Sequence, residues 1–450
     1  MALFPQDALN PGVRKREVFG WAMYDFANSG YTTVVLTAVF SAYFVGGVAG
    51  GANWATFAWT LTLAASSLVV MLTMPALGAY ADLRAAKKRL LVLSTLGCVL
   101  ATAALAGAGP GDIAWAVTFV ILSNICFSYG ESLIAAFLPE LARPESLGRV
   151  SGWGWSFGYF GGMLALGLSL GYVLWAQAKG LPASHFVPVT MVLTAVIFGL
   201  ASLLTFALLK ERAQPQAAQG PQGAAASGLA ASLAQLARTW HEARRFRDFS
   251  SLLACAVAYQ AGISVVVALA AIYAEQALGF KQIDTMILIF LVNIAAALGA
   301  FAWGYVQDRI GHVRAIALTL VGWIVMTMLA GAATTPMLFW VAAVVAGLCM
   351  GSSQSAGRAL AGALAPERQR GEFFGLWTFA IRLSSIIGPV TYGLVTLLTD
   401  GNHRLAIFGT GLFFVIGLVL LRAVDVQRGI AAAQAADAQA GAAAGAGAVQ

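Results

Sequence analysis

The 450-residue chain is 60% hydrophobic and only 10% charged, and its mean hydropathy is +0.80. Soluble globular proteins carry roughly 25% charged residues, so this composition excludes a water-soluble fold for most of the chain. The net charge of +7 does not indicate a nucleic-acid partner, because the basic residues cluster between apolar runs. We therefore expect an all-α polytopic membrane protein, with the lipid bilayer as its solvent.

Twelve apolar runs are long enough to cross the bilayer as helices, which takes about 20 residues. They lie at approximately 19–46, 55–80, 90–109, 113–138, 150–177, 187–209, 249–274, 284–306, 315–334, 337–362, 373–398 and 403–424. The first run is too long for a signal peptide, so we interpret it as a retained first helix.

The lysines and arginines predict the orientation, because cytoplasmic loops are enriched in them. With the N-terminus in the cytoplasm, 21 of the 26 basic residues fall in cytoplasmic segments. Three fall on the opposite side, namely Lys179, Lys281 and Arg404, and the remaining two, Arg358 and Arg382, lie within spans. We expect both termini to be cytoplasmic, and the Ala/Gly/Arg-rich composition favours a bacterial inner membrane.

The connecting segments divide the chain into two bundles. Residues 1–209 and 249–424 each contain six predicted helices. Between them, 210–248 opens as an Ala/Gln/Gly/Pro-rich flexible linker and continues as a basic segment. That basic segment is either an amphipathic helix lying on the membrane or a charged lead-in to helix seven. The low-complexity tail, 425–450, is predicted to be disordered and cytoplasmic.

The two bundles share sequence patterns. "GAYADLRAAKKR" follows helix two and "GYVQDRIGHVR" follows helix eight, so Asp82 and Asp308 occupy matching G-x-x-x-D positions. A second pair is "PESLGRVSGWGW" and "PERQRGEFFGLW", which precede helices five and eleven. These matches indicate a duplicated six-helix unit, an architecture in which one half rocks against the other.

These motifs resemble the loop signature of the major facilitator superfamily. Within it, "GWAMYDFANSGYTTVVLTAVF", "YQAGI", "SAGRALAGALAP" and "EFFGLW" resemble the vacuole-effluxer family and its bacterial relatives. The resemblance implies export of small zwitterionic solutes, amino acids foremost, by alternating access. Two positions depart from the family pattern: Ala261 stands where many members have an aspartate, and Leu83 follows Asp82 where an arginine is usual.

Four charged residues lie well inside the predicted spans, where each costs about 2.5–3.5 kcal/mol on insertion scales. Asp25 shares a helix face with Asn28 and either binds a substrate amine, carries a coupling proton, or forms a gate with a loop arginine. Arg382 either grips a substrate carboxylate or pairs with Asp25 or Glu131. Glu131 either couples transport to protons or pairs structurally with an arginine.

The remaining charges near the cytoplasmic helix ends are candidates for gates. The expected pairings are Arg358 with Asp308 or Glu372 in the second half, and Asp82 with Arg149 or Glu145 in the first. Neutral polar residues within spans either line an aqueous cavity or bond between helices; they are Asn124, Gln260, Asn293 and Gln354. Of these, Gln260 is the stronger candidate for the cavity.

The sequence contains no Walker A motif, no cluster of His and Cys with metal-ligand spacing, and no nucleophile triad. We therefore expect no enzyme activity, no cofactor and no metal. The leading hypothesis is a monomeric secondary transporter that moves a small polar or zwitterionic, amino-acid-like solute, coupled to protons and in the direction of export. The alternative is a membrane sensor or scaffold that keeps the transporter fold without transporting.

Overall fold

The computed structural model describes residues 4–50, 52, 55–212, 245–280, 282–399 and 402–447. Its regular structure over these residues is helical, apart from one isolated antiparallel bridge between Leu9 and Ala142. Most of the predicted linker and amphipathic segment lies outside the described residues.

Each of the twelve predicted runs coincides with a helix. These are α1 (Lys15–Tyr31), α2 (Ala55–Arg84), α3 (Lys87–Ala104), α4 (Ile113–Ala135), α5 (Leu147–Ala178), α6 (Ala183–Leu208), α7 (Arg247–Leu278), α8 (Gln282–Ile310), α9 (His312–Ala332), α10 (Pro336–Leu364), α11 (Arg370–Leu398) and α12 (His403–Leu421). Shorter turns connect them, including a four-residue helix at Leu138–Leu141.

Ten helices in the described part of the chain are individually long and apolar enough to cross a membrane. The second, α2, would be an eleventh span, but it bends by 42° between Met74 and Ala76. Pro75 lies at this bend and has no N–H to donate to the preceding turn. The first, α1, has only 17 residues and continues through π-helical turns to Val48. The twelve-span prediction therefore depends on counting these two irregular segments.

Buried apolar side chains form two clusters. One is built almost entirely from α1–α6 and the other from α7–α12, and we call these helix groups the N-half and the C-half. The halves meet mainly where α2 packs against α11 and α5 against α8. We call the end of the bundle that carries Lys15 and Leu421 the terminus end, and the opposite end the far end.

The structure corrects the prediction of a disordered C-terminal tail. Val426–Gly447 form a helix, α13. Nη2 of Arg428 lies 2.7 Å from Oδ1 of Asp248 on α7, and Asp437 accepts a hydrogen bond from the N–H of Glu367. The low-complexity pattern was a poor guide here, because its dominant residue, alanine, is the strongest helix former.

Candidate functional site

A cavity of ≈ 710 Å³ lies between the two halves. Its lining extends from Arg358 and Trp377, which lie six and seven residues from the terminus ends of α10 and α11, to Trp59 and Ile407, which lie close to the far ends of α2 and α12. Drug-sized and smaller ligands occupy pockets of roughly 300–1,000 Å³, so the cavity has room for a small solute.

The wall contributed by α1 is polar. Its π-helical turn at Thr32–Ala38 belongs to a rare class that recurs at functional sites. The hydroxyls of Thr32, Thr37 and Ser41 each donate to a backbone carbonyl three to five residues earlier, at 2.8–3.0 Å. Because their protons are already used, these oxygens can offer only lone pairs to a solute. The C-half wall is largely aliphatic, with Val266, Leu288 and Val292 among its members.

At its inner end, the cavity contains an ion pair between Asp25 and Arg358. Nη1 of Arg358 lies 2.6 Å from Oδ2 of Asp25, and both side chains are largely buried, at 7% and 11% exposure. Arg358 also donates to the hydroxyl and the carbonyl of Ser151 on α5, and its guanidinium makes cation–π contacts with the rings of Trp21 and Trp155. This pair joins α10 of the C-half to α1 and α5 of the N-half.

A second ion pair, between Glu131 and Arg382, also lines the cavity. Nη2 of Arg382 on α11 lies 2.9 Å from Oε2 of Glu131 on α4. The Glu131 side chain is 44% exposed, whereas that of Arg382 is 14% exposed. This pair also connects the two halves, and its carboxylate is open to the cavity.

The predicted polar residues divide between the cavity and the helix packing. Asn28 lines the cavity, and so does Asn293, which donates to the carbonyl of Ile289 within α8. Gln260 donates to Gln354 at 2.7 Å, and of these two only Gln354 lines the cavity. The amide of Asn124 bonds to Ser66 in a buried contact between α4 and α2.

At the terminus end, the carboxylate of Asp308 binds the first turn of α5. It accepts hydrogen bonds from the N–H groups of Gly148 and Arg149, at 3.1 and 3.3 Å. It also forms an ion pair with the Arg149 side chain, whose Nε lies 3.3 Å away. The N-terminus of a helix carries partial positive charge and unpaired N–H groups, so it attracts a carboxylate.

The carboxylate of Asp82 makes the equivalent contact with α11. It accepts from the N–H of Glu372 at 3.1 Å and lies 3.2 Å from Nζ of Lys87, which in turn lies 3.1 Å from Glu140. Glu372 is the third residue of α11, as Arg149 is the third residue of α5. The duplicated motif therefore forms two related latches, each with an aspartate of one half on a helix N-terminus of the other.

These latches bring the two halves into contact at the terminus end. A Cβ atom on Gly78 would collide with the backbone of Gly371, and one on Gly304 would lie 2.8 Å from the carbonyl oxygen of Gly148. Only glycine permits such an approach between helix backbones. The structure is therefore closed at the terminus end, and its cavity extends toward the far end.

Two predicted pairings are wrong. Arg358 pairs with Asp25, and not with Asp308 or Glu372 as expected, because it lies six residues before the end of α10 while Asp308 lies only two residues before the end of α8. At 1.5 Å per residue, the two side chains are at different depths. Arg149 pairs with Asp308 of the opposite half, and not with Asp82.

Sequence reasoning missed three residues at these sites. Lys87 and Glu140 complete the Asp82 latch, and Ser151 holds the guanidinium of Arg358. Lys87 stands in the run "AAKKR" and counted only as a loop charge, yet its side chain is 2% exposed. Ser151 lies in "GRVSGWGW", part of a segment that matches one in the other bundle, so the match could have indicated it. Nothing in the sequence distinguishes Lys87 from the lysine beside it.

Comparison with known proteins agrees with this architecture. A family model described as "Vacuole effluxer Atg22 like" matches residues 43–434. The chain belongs to this family. A full-length relative of the Atg22-like chain is the uncharacterised MFS-type transporter YxiO of Bacillus subtilis, which is 26% identical over 89% of this chain and 93% of its own. Autophagy-related protein 22-1 of Aspergillus niger is 27% identical over 49% of this chain and 38% of its own.

Solved structures show the fold of this Atg22-like protein to be that of the major facilitator superfamily. The human organic anion transporter MFSD10 superposes with a TM-score of 0.70 at 17% identity, covering 90% of this chain and 99% of its own. The proton:xylose symporter XylE superposes with a TM-score of 0.69 at 14% identity, covering 90% and 94%. The Atg22-like chain is thus a multi-pass membrane protein of a transporter family.

Proposed function

We propose that this protein is a secondary transporter that moves a small zwitterionic, amino-acid-like solute by alternating access. The observation that carries the proposal is the inter-half cavity, whose lining contains the carboxylates Asp25 and Glu131 beside the guanidinium groups of Arg358 and Arg382. A solute with both signs of charge suits such a cavity, because each charge finds a partner away from water.

The structure's closed terminus end supplies one state of the cycle. Opening that end requires Asp308 and Asp82 to leave the helix N-termini of α5 and α11, and Arg358 to leave Asp25. These contacts all join one half to the other, so a rocking motion of the halves breaks them together. The same rocking motion closes the far end around the solute.

We propose that protons drive the cycle in the direction of export. Asp25 and Glu131 are the two carboxylates among the described residues that line the cavity, and Glu131 is the more exposed. A proton and a substrate ammonium group compete for the same carboxylate oxygens. Such competition exchanges one for the other: a proton that enters from the far end displaces a solute taken up at the terminus end, and the solute leaves at the far end.

The setting that we propose is a bacterial inner membrane with both termini in the cytoplasm, where the protein acts as a monomer and has no enzymatic activity. The charge asymmetry of the loops supports this orientation. Relatives named as effluxers and as an MFS-type transporter support transport, and export in particular. A single chain with two halves encloses its own cavity and needs no second copy to complete it.

Counterflow in proteoliposomes tests the proposal. Vesicles with the purified protein are loaded with an unlabelled mixture of the twenty amino acids, and entry of each labelled amino acid is followed. We expect at least one to accumulate transiently above the level in protein-free vesicles, and an imposed proton gradient to accelerate its net release. Binding without counterflow would favour the sensor or scaffold, and neither binding nor counterflow would overturn the amino-acid assignment.

A further inference from the structure

We infer that the two ion pairs of the cavity have different roles. Glu131 and Arg382 form the receptor for the solute's ammonium and carboxylate groups, whereas Asp25 and Arg358 form a structural pair at the inner end of the cavity. The inference rests on the proposed transport function and assigns its charged subsites. The sequence alone made Asp25 a candidate for binding a substrate amine, whereas here Glu131 has that role.

The hydrogen bonds of the two arginines differ sharply. Arg358 uses all three of its guanidinium nitrogens, with Nη1 on Asp25 and with Nε and Nη2 on Ser151. The guanidinium of Arg382 makes a single hydrogen bond, from Nη2 to Glu131, among the described residues. Its Nε is buried and has no acceptor within that part of the chain. Buried donors without a partner are uncommon, so Arg382 retains capacity for a further acceptor.

The exposure of the carboxylates points the same way. The Glu131 side chain is 44% exposed to the cavity, while that of Asp25 is 11% exposed and is held against Arg358. An incoming ammonium group can therefore reach Glu131 without displacing a network. To reach Asp25 it would have to break a pair that Ser151 and two tryptophan rings also stabilise.

A zwitterion is the ligand class that this receptor selects. An α-amino acid holds its ammonium and carboxylate groups two bonds apart, so it can replace one Glu131–Arg382 contact by two contacts of the same kind. A solute with one charge would pair with one partner and leave the other without its counter-charge, which is unfavourable. Planar guanidinium also suits a carboxylate, which it can bind through two parallel hydrogen bonds.

The position of the receptor gives the bound solute a second role. Glu131 belongs to α4 of the N-half and Arg382 to α11 of the C-half. A zwitterion between them therefore links the halves across the cavity. Rocking of one half on the other can then proceed while both charges remain paired.

Isothermal titration calorimetry on the purified full-length protein tests this assignment. The probes are the twenty amino acids and, for each that binds, its methyl ester and its deaminated acid, which carry one charge each. The wild type should bind the zwitterion at least about tenfold more tightly than either analogue, since hydrogen bonds to charged groups contribute about that much. In Glu131→Gln, the affinity for the deaminated acid should be within about threefold of the affinity for the amino acid. In Arg382→Gln, the affinity for the methyl ester should be within about threefold of that for the amino acid.

Matched controls and a second variant keep the test decisive. Glu145→Gln and Arg314→Gln remove one exposed charge each and should retain wild-type discrimination. The double variant Glu131→Gln/Arg382→Gln leaves no unpaired charge, so it should fold and yet lose zwitterion binding. The inference is overturned if both single variants discriminate as the wild type does, or if the double variant binds zwitterions normally. Counterflow of amino acids would persist in that case, whereas its absence from the wild type would overturn the transport proposal itself.

Discussion

The carboxylate of Asp25 on α1 lies 2.6 Å from Nη1 of Arg358 on α10, so a residue near the start of the chain is paired with one 333 positions later. Each comes from a different half, and both side chains are largely buried. Two charges at such depth are stable only because each neutralises the other. The pair therefore reports on the closed terminus end: when the halves separate there, it must break.

Breaking this pair should open the terminus end. Arg358→Ala leaves Asp25 buried without its partner, which weakens the closed state by about 3–5 kcal/mol. The distance between spin labels at the exposed residues Glu145 and Arg309, one on each half, should increase when measured by double electron–electron resonance. The labels require replacement of the native cysteines, which are Cys98, Cys126, Cys255 and Cys349.

The charge-reversed double variant provides the control. Asp25→Arg/Arg358→Asp restores a pair of opposite charges and should return part of the population to the short distance. An unchanged distance in Arg358→Ala would show that the pair does not hold the halves together.

The two latches should act independently and in the same direction. Asp308→Ala and Asp82→Ala each remove a carboxylate from a helix N-terminus, which is worth about 0.5–2 kcal/mol. Asp82→Ala should have the larger effect, because its cationic partner Lys87 is 2% exposed, whereas Arg149, the partner of Asp308, is 21% exposed. The distance between Glu145 and Arg309 should rise in both variants, and the shifts in free energy should add within about 0.5 kcal/mol. Opposite shifts would contradict the related roles of the two latches.

Close backbone contact at the terminus end should make one glycine irreplaceable. Gly78→Ala places a methyl group against the backbone of Gly371, which cannot rotate away, so the halves should separate at this end. Overpacking of this kind costs about 1–3 kcal/mol. Gly171→Ala is the matched control, since a Cβ there meets no atom within 4 Å. Equal counterflow in the two variants would show that the closed contact is not part of the cycle.

The C-terminal helix α13 should protect the loop that leads into α11. Asp437 accepts hydrogen bonds from the N–H groups of Glu367 and Arg368, at 2.8 and 3.2 Å. In Asp437→Ala, hydrogen exchange at these two amides should accelerate severalfold, while the neighbouring substitution Gln434→Ala should leave it unchanged. Exchange that is the same in all three proteins would mean that α13 does not dock there in solution.

Hydrophobic run length was sufficient to predict the helices, because lipid allows few alternatives to a spanning helix. The two irregular segments show its limit. The bend at Pro75 and the π-helical turns after Tyr31 depend on local backbone geometry, which mean hydropathy does not record. The helical tail was missed for a related reason, because its docking depends on Arg428 and Asp437 contacting the C-half.

The charged residues of the cavity were predictable, but only one of their two pairings was. A carboxylate or a guanidinium inside a span must have a purpose, so Asp25, Glu131 and Arg382 could be selected from the sequence alone. Partner choice depends on relative depth and on which helices face each other across the halves. The Glu131–Arg382 pair was among the expected alternatives, whereas the Asp25–Arg358 pair required the structure.

Alternating access is tested most directly by measuring two distances in the same protein. One label pair, Glu145 and Arg309, reports on the terminus end, and a second, Lys179 and Met337, reports on the far end. The wild type should show a short distance at the terminus end, and Gly78→Ala should lengthen it while shortening the distance at the far end. Distances that change together, or a far end that does not respond, would contradict a cycle in which the halves rock about the central cavity.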